Sequence, residues 1–165
     1  MIEPDVKGEL ERFEPGEGAA WGGFLAVHAS VTRQLDGELR RKHGLSLSSY
    51  EVLLKLAWAP DRRLRMTQLA EQCLLTPGGV TRVVGLLVDA GLVRRSTPAD
   101  NRRVVMAELT DPGFAVLEQA QHTHLAGVRA LFLGHLDTTT TATLAAAWQR
   151  IQDADPAGLA GAGSG

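Results

Sequence analysis

The chain has 165 residues, 44% of them hydrophobic and 22% charged, and its net charge at pH 7 is −2. This size and composition are typical of one folded soluble domain and exclude a disordered chain, while no apolar segment approaches the roughly 20 residues that span a bilayer. The single Cys73 excludes an internal disulfide and no secretory signal pattern is present, so we expect a cytoplasmic protein.

The N-terminal part of the chain predicts a loose arm followed by a long helix. Residues 1–18 are rich in Glu, Gly and Pro and lack a period, although the segment "GELERF" could form a short helix. From Ala19 to about Lys42, apolar residues recur every three or four positions, which is typical of an amphipathic helix. Gly44 is a good C-terminal stop for it.

A second helix is predicted over "SLSSYEVLLKLAWAP". Ser48 would cap its first amides and Glu51 would complete a capping box. The helix should end at the step from Ala59 to Pro60, because the residue before a proline disfavours helical backbone.

Two further helices follow a turn and a short extended piece at "DRRLR". Thr67 is predicted to cap a brief helix that reaches Cys73. Thr76 is a good N-cap for the next helix, with Pro77 at the first helical position, and Gly91 ends that helix.

A hairpin and two helices complete the predicted order. "LVRRST" and "RVVMAEL" are β-prone runs around a turn that contains Pro, Asp and Asn. Thr110 caps a long helix with Pro112 in its first turn, and Asp137 or a following Thr starts the last helix, which runs through Ile151. Residues 154–165 are rich in Gly and Ala and predict a disordered tail.

Two short helices joined by "LLT" and followed at once by a basic hairpin predict a winged helix-turn-helix. The second helix of such a motif lies in the DNA major groove and presents its N-terminal residues to base edges. The small Gly78 and Gly79 would let its backbone approach the duplex, and Thr76, Thr81 and Arg82 would be the polar groups best placed for contact. A tight helix crossing, or tolerance of weak helix formers, is the alternative explanation of the glycines.

The predicted hairpin is strongly basic although the whole chain is slightly acidic. Arg94 and Arg95 leave the first strand, and Arg102 and Arg103 begin the second. An arginine can enter the narrow minor groove, where the potential is most negative, and a local basic face can exist on an acidic chain. A solvated charged loop, or a wing used only for protein contacts, is the alternative.

Two segments, "MTQLAEQCLLTPGGVTRVVGLLVDAGLVRR" and "ADNRRVVMAELTDPG", resemble the multiple-antibiotic-resistance regulator (MarR) family of bacterial winged-helix regulators. The resemblance covers roughly residues 19–150. It implies a mainly α fold with a small β-hairpin wing (α+β). It also implies dimerisation helices at about 19–43 and 111–152 around a winged helix-turn-helix at about 47–110, within a domain of residues 19–153.

The resemblance implies a function as well: a homodimeric, sequence-specific regulator of double-stranded DNA. Such a protein is commonly a repressor on a pseudo-palindromic operator, released by a small phenolic or anionic effector. The residues expected to contact DNA are Thr76, Pro77, Gly78, Gly79, Thr81, Arg82, Arg94, Arg95, Asp100, Asn101, Arg102 and Arg103.

The wing tip departs from the Asp-x-Arg that members of the family usually carry. Counting back from Leu109 places Asn101, not Asp100, at the acidic position. Asn101-x-Arg103 and Asp100-x-Arg102 are therefore both candidates for the motif, and the strand register favours Arg103 as the residue that enters the groove.

The terminal helices carry more apolar side chains than a small winged helix can cover. The candidates for a dimer interface are Leu131, Phe132, Leu144, Trp148 and Ile151. A second copy of the chain would cover them in a symmetric, self-complementary interface, and an intramolecular helical cap is the alternative.

An effector would bind between the dimerisation helices and the DNA-binding lobe if the family pattern holds. The candidate lining residues are Trp21, Phe24, His28, Tyr50 and Trp58, with Arg65 as a partner for an anion. Each of these is more often a simple core or surface residue.

The sequence predicts neither an enzyme nor a metal site. His122 and His124 point about 200° apart on a helix, whereas helical metal pairs are three or four residues apart. We interpret Cys73 as a small buried side chain rather than a redox switch. Phosphate-binding loops, nucleophile elbows and clustered carboxylates are absent from the sequence, so we expect no catalytic residues, metal or cofactor.

Overall fold

Helices form most of the chain in this computed structural model, which describes residues 13–98 and 104–154. Within that part there are six α-helices, two short 3-10 helices and one antiparallel sheet of three strands. The helices are α1 (Pro15–His43), α2 (Leu47–Trp58), α3 (Met66–Gln72), α4 (Pro77–Asp89), α5 (Asp111–Leu131) and α6 (Thr138–Ala154), and the strands are β1 (Arg63–Arg65), β2 (Val93–Ser96) and β3 (Met106–Leu109). The predicted order of four helices, a hairpin and two helices is confirmed.

The first helix begins earlier than the periodicity predicts. Helix α1 starts at Pro15 rather than Ala19, so residues 15–18 are helical and not part of a loose arm. Proline is favoured in a first helical turn, and the Glu14 amide donates to the Glu17 carboxylate at 3.2 Å. The predicted stop is confirmed: Gly44 has a left-handed φ of 69°, and its N–H donates to the Arg40 carbonyl.

Two terminal predictions fall mostly on residues that lie outside the described part of the chain. The suggested short helix at "GELERF" covers residues 8–13, of which only Phe13 is described, and Phe13 is not helical. Residues 155–165 of the predicted tail also lie outside. Ala154, assigned to that tail, is the last residue of α6.

The predicted start of α2 is wrong. Ser46, not Ser48, is the N-cap, and its Oγ accepts a hydrogen bond of 3.0 Å from the Ser49 amide. The Leu47 amide is bound by the Asp36 carboxylate of α1 at 2.9 Å. A contact with α1 therefore satisfies the first turn, and the predicted pairing of Ser48 with Glu51 does not form the cap.

Thr67 is likewise not a cap, because α3 already begins at Met66. The Met66 amide donates to the Val105 carbonyl at 3.0 Å, which ties the start of α3 to the chain that enters β3. The Arg65 amide donates to the Gln68 side chain at 3.2 Å. Pairing with β3 extends the chain through Arg65 and sets the point at which the helix starts.

The caps of α4 agree with prediction. Thr76 Oγ accepts a hydrogen bond of 3.0 Å from the Gly79 amide, and Pro77 is the first helical residue. At the other end Gly91 has a φ of 72° and donates to the Val88 carbonyl, while the Leu92 amide donates to the Leu87 carbonyl. These two bonds form a Schellman motif, which satisfies carbonyls at the end of the helix.

The sheet contains one more pairing than the predicted hairpin. The strand order is β1-β3-β2, and β1 is the short extended piece, paired antiparallel with β3. Leu64 on β1, Ala107 and Leu109 on β3, and Val93 on β2 are buried. Because side chains alternate along a strand, these residues form the inner face, while Arg63, Arg65, Arg94 and Glu108 lie on the outer face.

The core is formed by the inner face of the sheet and the helices that cover it. The buried residues with the lowest exposure include Leu39, Val52, Leu53, Leu56, Leu69, Val84, Ala107 and Ala120. His124 of α5 stacks on buried Tyr50 of α2 with ring centroids 4.5 Å apart, and burial lowers the pKa of His124. Burial also raises the pKa of the Cys73 thiol to about 11, as suits a core side chain.

In the described residues no group of three or more His, Cys, Asp or Glu side chains is arranged to hold a metal ion. None of the described helices combines the length and apolar character that crossing a membrane requires.

The start of α5 is fixed directly against the end of α4. Thr110 Oγ accepts from the Gly113 amide at 3.0 Å, as predicted for a cap, and also donates to the Gly91 carbonyl at 2.8 Å. The Thr110 amide donates to the Leu92 carbonyl at 3.1 Å. We call this set of contacts among Gly91, Leu92, Thr110 and Gly113 the α4–α5 junction. A Cβ placed on Gly113 would lie 2.1 Å from the Leu92 carbonyl oxygen.

Gly113→Ala should destabilise the protein by at least about 3 kcal/mol, because the added methyl collides with rigid backbone rather than with a side chain that can move. Chemical denaturation followed by circular dichroism measures the change. Gly37→Ala is the matched control: no described atom lies within 4 Å of its Cβ position, and alanine should stabilise α1 by up to about 1 kcal/mol. Equal effects of the two substitutions would contradict this account of the α4–α5 junction.

Candidate nucleic-acid interface

Helix α4 has one apolar face and one exposed face. Val80, Val83, Val84 and Leu87 are buried against the core. The exposed positions are Pro77, Gly78, Thr81, Arg82, Leu86 and Asp89. Since α3 and the turn after it hold the N-terminus of α4 outward, the exposed face has the geometry of the second helix of a helix-turn-helix.

The two glycines at the start of α4 serve different purposes. No described atom lies within 4 Å of a Cβ position on Gly78, so the helix surface there is bare and open. At Gly79 a Cβ would lie 3.1 Å from Thr76 Oγ, which makes a side chain tight against the cap. Gly78 therefore leaves the surface of the first turn without a side chain, whereas the Gly79 amide donates its hydrogen bond to Thr76.

The polar side chains of the second turn are Thr81 and Arg82. Thr81 Oγ1 donates to the Pro77 carbonyl at 2.8 Å, which holds the side chain against the helix. Arg82 is exposed and makes no hydrogen bond or ion pair with another described residue. Among the predicted contact residues that the structure describes, Arg82 has the guanidinium best placed to meet a base or a phosphate.

The adjacent Arg94 and Arg95 of β2 lie on opposite faces of the sheet. Arg94 is on the outer face, and its Nε donates to the Glu108 carboxylate at 2.6 Å. Arg95 is on the inner side, and its Nη2 donates to the backbone carbonyl of Thr81 at 3.0 Å. Sequence reasoning grouped the two arginines together, and the structure gives each a different protein partner.

Asp100, Asn101, Arg102 and Arg103 lie outside the described residues. The choice between Asn101-x-Arg103 and Asp100-x-Arg102 at the wing tip therefore remains a prediction.

The outer face of the sheet is a basic cleft that sequence reasoning missed. It has a volume of about 550 Å³, and the residues that line it include Arg63, Arg65, Ser96, Thr97, Met106 and Glu108. Arg63 and Arg94 stand on either side of Glu108 in register across the three strands. The signal that could have found the cleft was the alternation in "RRLR", which becomes informative once β1 is known to pair with β3.

Glu108 is the acidic centre of this face. The Ser96 hydroxyl donates to one carboxylate oxygen and Arg94 donates to the other, and together they hold the pKa of Glu108 below its usual range. An ionised Glu108 thus orients Arg94 and links β2 to β3 near the base of the wing.

The predicted effector residues do not form a single pocket. Trp21, Phe24 and His28 follow one another along α1, with ring centroids 5.8 Å and 6.0 Å apart, and Phe24 also meets Trp148 of α6 at 5.4 Å. The other three candidates lie elsewhere. Tyr50 is buried against His124, Trp58 is near the Lys55 ammonium, and Arg65 lies on the sheet.

Of the predicted interface residues, Trp148 and Ile151 line an open apolar groove between α1 and α6, and Leu131, Phe132 and Leu144 do not line it. Leu131, Phe132 and Leu144 are half-buried, whereas Trp148 and Ile151 are 39% and 51% exposed. The groove has a volume of about 730 Å³ and is lined by Phe13, Trp21, Phe24, Trp148 and Ile151 together with three neighbouring residues. Within the described chain no residue of α6 is buried.

Comparisons with known proteins find similarity to transcriptional regulators. The MarR family model matches residues 43–103 of this chain. The HTH-type transcriptional repressor YetL of Bacillus subtilis is 32% identical over 94 residues, which are 57% of this chain and 56% of YetL. The match thus spans little more than half the length of that curated relative.

Solved structures match over almost the whole chain. A MarR family transcriptional regulator from Streptomyces coelicolor, Sco3205, was solved in complex with DNA; it is 28% identical, with a TM-score of 0.83 over 91% of this chain and 94% of that one. The organohalide-sensing transcriptional regulator RdhR, solved with 2,4-dichlorophenol bound, has a TM-score of 0.75 over 93% of this chain and 90% of that one. At 18% identity, that second likeness shows the fold alone.

Glu108→Gln should lower the thermal unfolding midpoint at pH 7 and have little effect near pH 3. Because folding lowers the pKa of Glu108, its carboxylate adds stability above the unfolded value near 4.5, and that stability is lost as pH falls through the folded pKa. The thermal unfolding midpoints of the wild-type protein and of Glu108→Gln, measured between pH 3 and pH 7, give the difference at each pH. Glu118→Gln, at an exposed position, serves as the control. If Glu108→Gln lowered the midpoint equally at both pH values, the stabilising role of the Glu108 carboxylate would be contradicted.

Proposed function

We propose that this chain, which is similar to the MarR family over residues 43–103, is a member of that family and a sequence-specific transcriptional regulator that binds double-stranded DNA as a homodimer. We further propose that it is a repressor, as the related YetL is. The observation that supports this best is the exposed face of α4, where Gly78 is bare and Arg82 is open beside a basic wing. This function needs no catalytic residue or cofactor, and it places the protein in the bacterial cytoplasm with the chromosome.

In this proposal α4 enters the major groove. Thr76 at the N-cap and Thr81 in the second turn would approach the backbone and base edges. Arg82 would offer its guanidinium to guanine, which accepts two hydrogen bonds on its major-groove edge. The wing arginines would bind phosphates and enter the neighbouring minor groove. Base contacts from α4 would supply specificity, and the wing would supply most of the salt-dependent affinity.

The groove between α1 and α6 supports the homodimer. Its lining includes three aromatic side chains, Phe13, Trp21 and Phe24, that are each more than 40% exposed. An apolar surface of this kind on a folded chain typically marks an interface. A second copy would cover it symmetrically and would place two α4 helices for the two halves of a palindromic operator.

A small phenolic or anionic effector would release the repressor from DNA. RdhR, which shares this fold, was solved with 2,4-dichlorophenol bound, and a phenol of this kind is the class of effector that we propose. Adding 2,4-dichlorophenol to the protein–DNA complex tests this: release of DNA at concentrations that leave the protein folded supports it, and unchanged binding contradicts it for this phenol.

A wing that contacts only other proteins is the second candidate function. It explains the fold but gives no reason for four arginines within residues 94–103. Failure to bind any duplex at low salt would favour it.

Arg82→Ala should weaken binding to the operator by ~1–3 kcal/mol and relax base preference at one position of each half-site. The expected target is the DNA immediately upstream of the protein's own gene, and gel shifts near 50 mM salt measure affinity against single-base variants. The double variant Arg102→Ala, Arg103→Ala should instead weaken all sequences alike and flatten the salt dependence.

Arg33→Ala, an exposed change on α1, is the matched control for both variants and should leave binding unchanged. No duplex binding by the wild-type protein, or full affinity in the Arg102→Ala, Arg103→Ala variant, would overturn the mechanism.

Trp148→Glu should convert the protein from dimer to monomer, because a carboxylate in a covered apolar groove loses its hydration. Sedimentation velocity reads the mass directly. Trp58→Glu is the control, since Trp58 is 54% exposed on α2 and does not line the groove. A wild-type monomer at micromolar concentration, or dissociation by both variants alike, would contradict the proposed interface.

A further inference from the structure

Arg95 makes a hydrogen bond to α4 that could not be predicted from its charge or from its position in a run of arginines. It pairs in register with fully buried Ala107 and therefore projects from the inner side of β2, toward α4. Its Nη2 donates to the Thr81 carbonyl oxygen at 3.0 Å. That oxygen belongs to the first part of α4, one residue before Arg82.

Gly85 leaves the space in which this guanidinium lies. Thr81 and Gly85 are four residues apart and so lie one above the other on the helix surface. A Cβ on Gly85 would lie 3.9 Å from Arg95 Nη2, an ordinary van der Waals distance that leaves little room for a longer side chain. Strand β2 thus places the Arg95 side chain against the turn of α4 that contains Thr81 and Gly85.

The bond connects two elements that must act on DNA together. Helix α4 carries Thr81 and Arg82 on its exposed face, and β2 continues into the basic wing. A charged donor on a neutral carbonyl is among the stronger hydrogen bonds, and the planar guanidinium loses less freedom on binding than a flexible ammonium would. Movement of the wing relative to α4 must break this contact.

We propose that Arg95 is a positioning residue for DNA recognition: it fixes the first half of α4 against the wing through Thr81, and its main effect is on which sequence is bound. This rests on the proposed DNA-binding function. It refines the prediction that Arg94 and Arg95 both contact DNA, because it gives the two residues different roles. Arg94 on the outer face is bound to Glu108, its side chain is 74% exposed, and it makes no hydrogen bond or ion pair with α4 among the described residues.

Hydrogen–deuterium exchange of the free protein tests the positioning directly. In Arg95→Ala, the backbone amides of residues 80–88 should exchange about fivefold faster or more, as expected on losing a hydrogen bond that involves a charge. Arg94→Ala is the matched control, because it removes the same charge from the next position of the same strand, and α4 should keep its protection there. Equal exchange of α4 in both variants overturns the proposal.

Binding measurements separate positioning from phosphate contact. Arg95→Ala should lower the ratio of operator to random-duplex affinity by roughly tenfold and leave the dependence on salt unchanged. An equal loss on both duplexes, with the salt slope reduced by about one, would identify a phosphate ligand and overturn the proposal. If Arg95→Ala does not fold by circular dichroism, Arg95→Met keeps the apolar stem and replaces it.

The two measurements fail independently. If the wild-type protein binds no duplex, the DNA-binding function is wrong, yet the exchange experiment on free protein still decides whether Arg95 holds α4. If DNA binds and α4 exchanges alike in both variants, the function stands and the inference about Arg95 is wrong.

Discussion

The arrangement of this protein depends on the backbone contact between the end of α4 and the start of α5. Gly91 turns the chain with a φ of 72°, and Thr110 then caps α5 while donating to the Gly91 carbonyl. Gly113 lies so close to Leu92 that only a hydrogen fits in place of a side chain. Helix α4 carries the exposed Arg82 and α5 packs on α1, so this contact sets the angle between the candidate DNA surface and the apolar helices.

Local signals in the sequence predicted the element ends that local chemistry decides. The caps at Thr76 and Thr110 and the stops at Gly44 and Gly91 need only the residue itself and its neighbours within a few positions. The predictions of Ser48 and Thr67 as N-caps were wrong because residues distant in the sequence help to set where α2 and α3 begin. Asp36 binds the first amide of α2, and the carbonyl of Val105 binds the first amide of α3.

The candidate site remains a prediction, and the structure adds what each described arginine of it contacts. A run of arginines in a sequence indicates positive charge, but it does not indicate which protein group each guanidinium is hydrogen-bonded to. Arg82 is open, Arg94 is held by Glu108, and Arg95 is held by the backbone of α4. The pleat of a short strand separates neighbours onto opposite faces. Strand β1, predicted as a short extended piece but not as a partner of β3, supplies Arg63 and Arg65 to the outer face. The wing-tip residues 99–103 keep their predicted roles only as proposals.

Helix α6 has a consequence for the energetics of folding. Within the described chain none of its residues is buried, so a single copy gains only partial burial from forming this helix, such as the contact between Trp148 and Phe24. On the proposed dimer, association and the ordering of α6 become one equilibrium, and the stability of the protein then rises with its own concentration by mass action. The number of copies in a cell would determine not only how much operator is occupied but how much of each chain is folded.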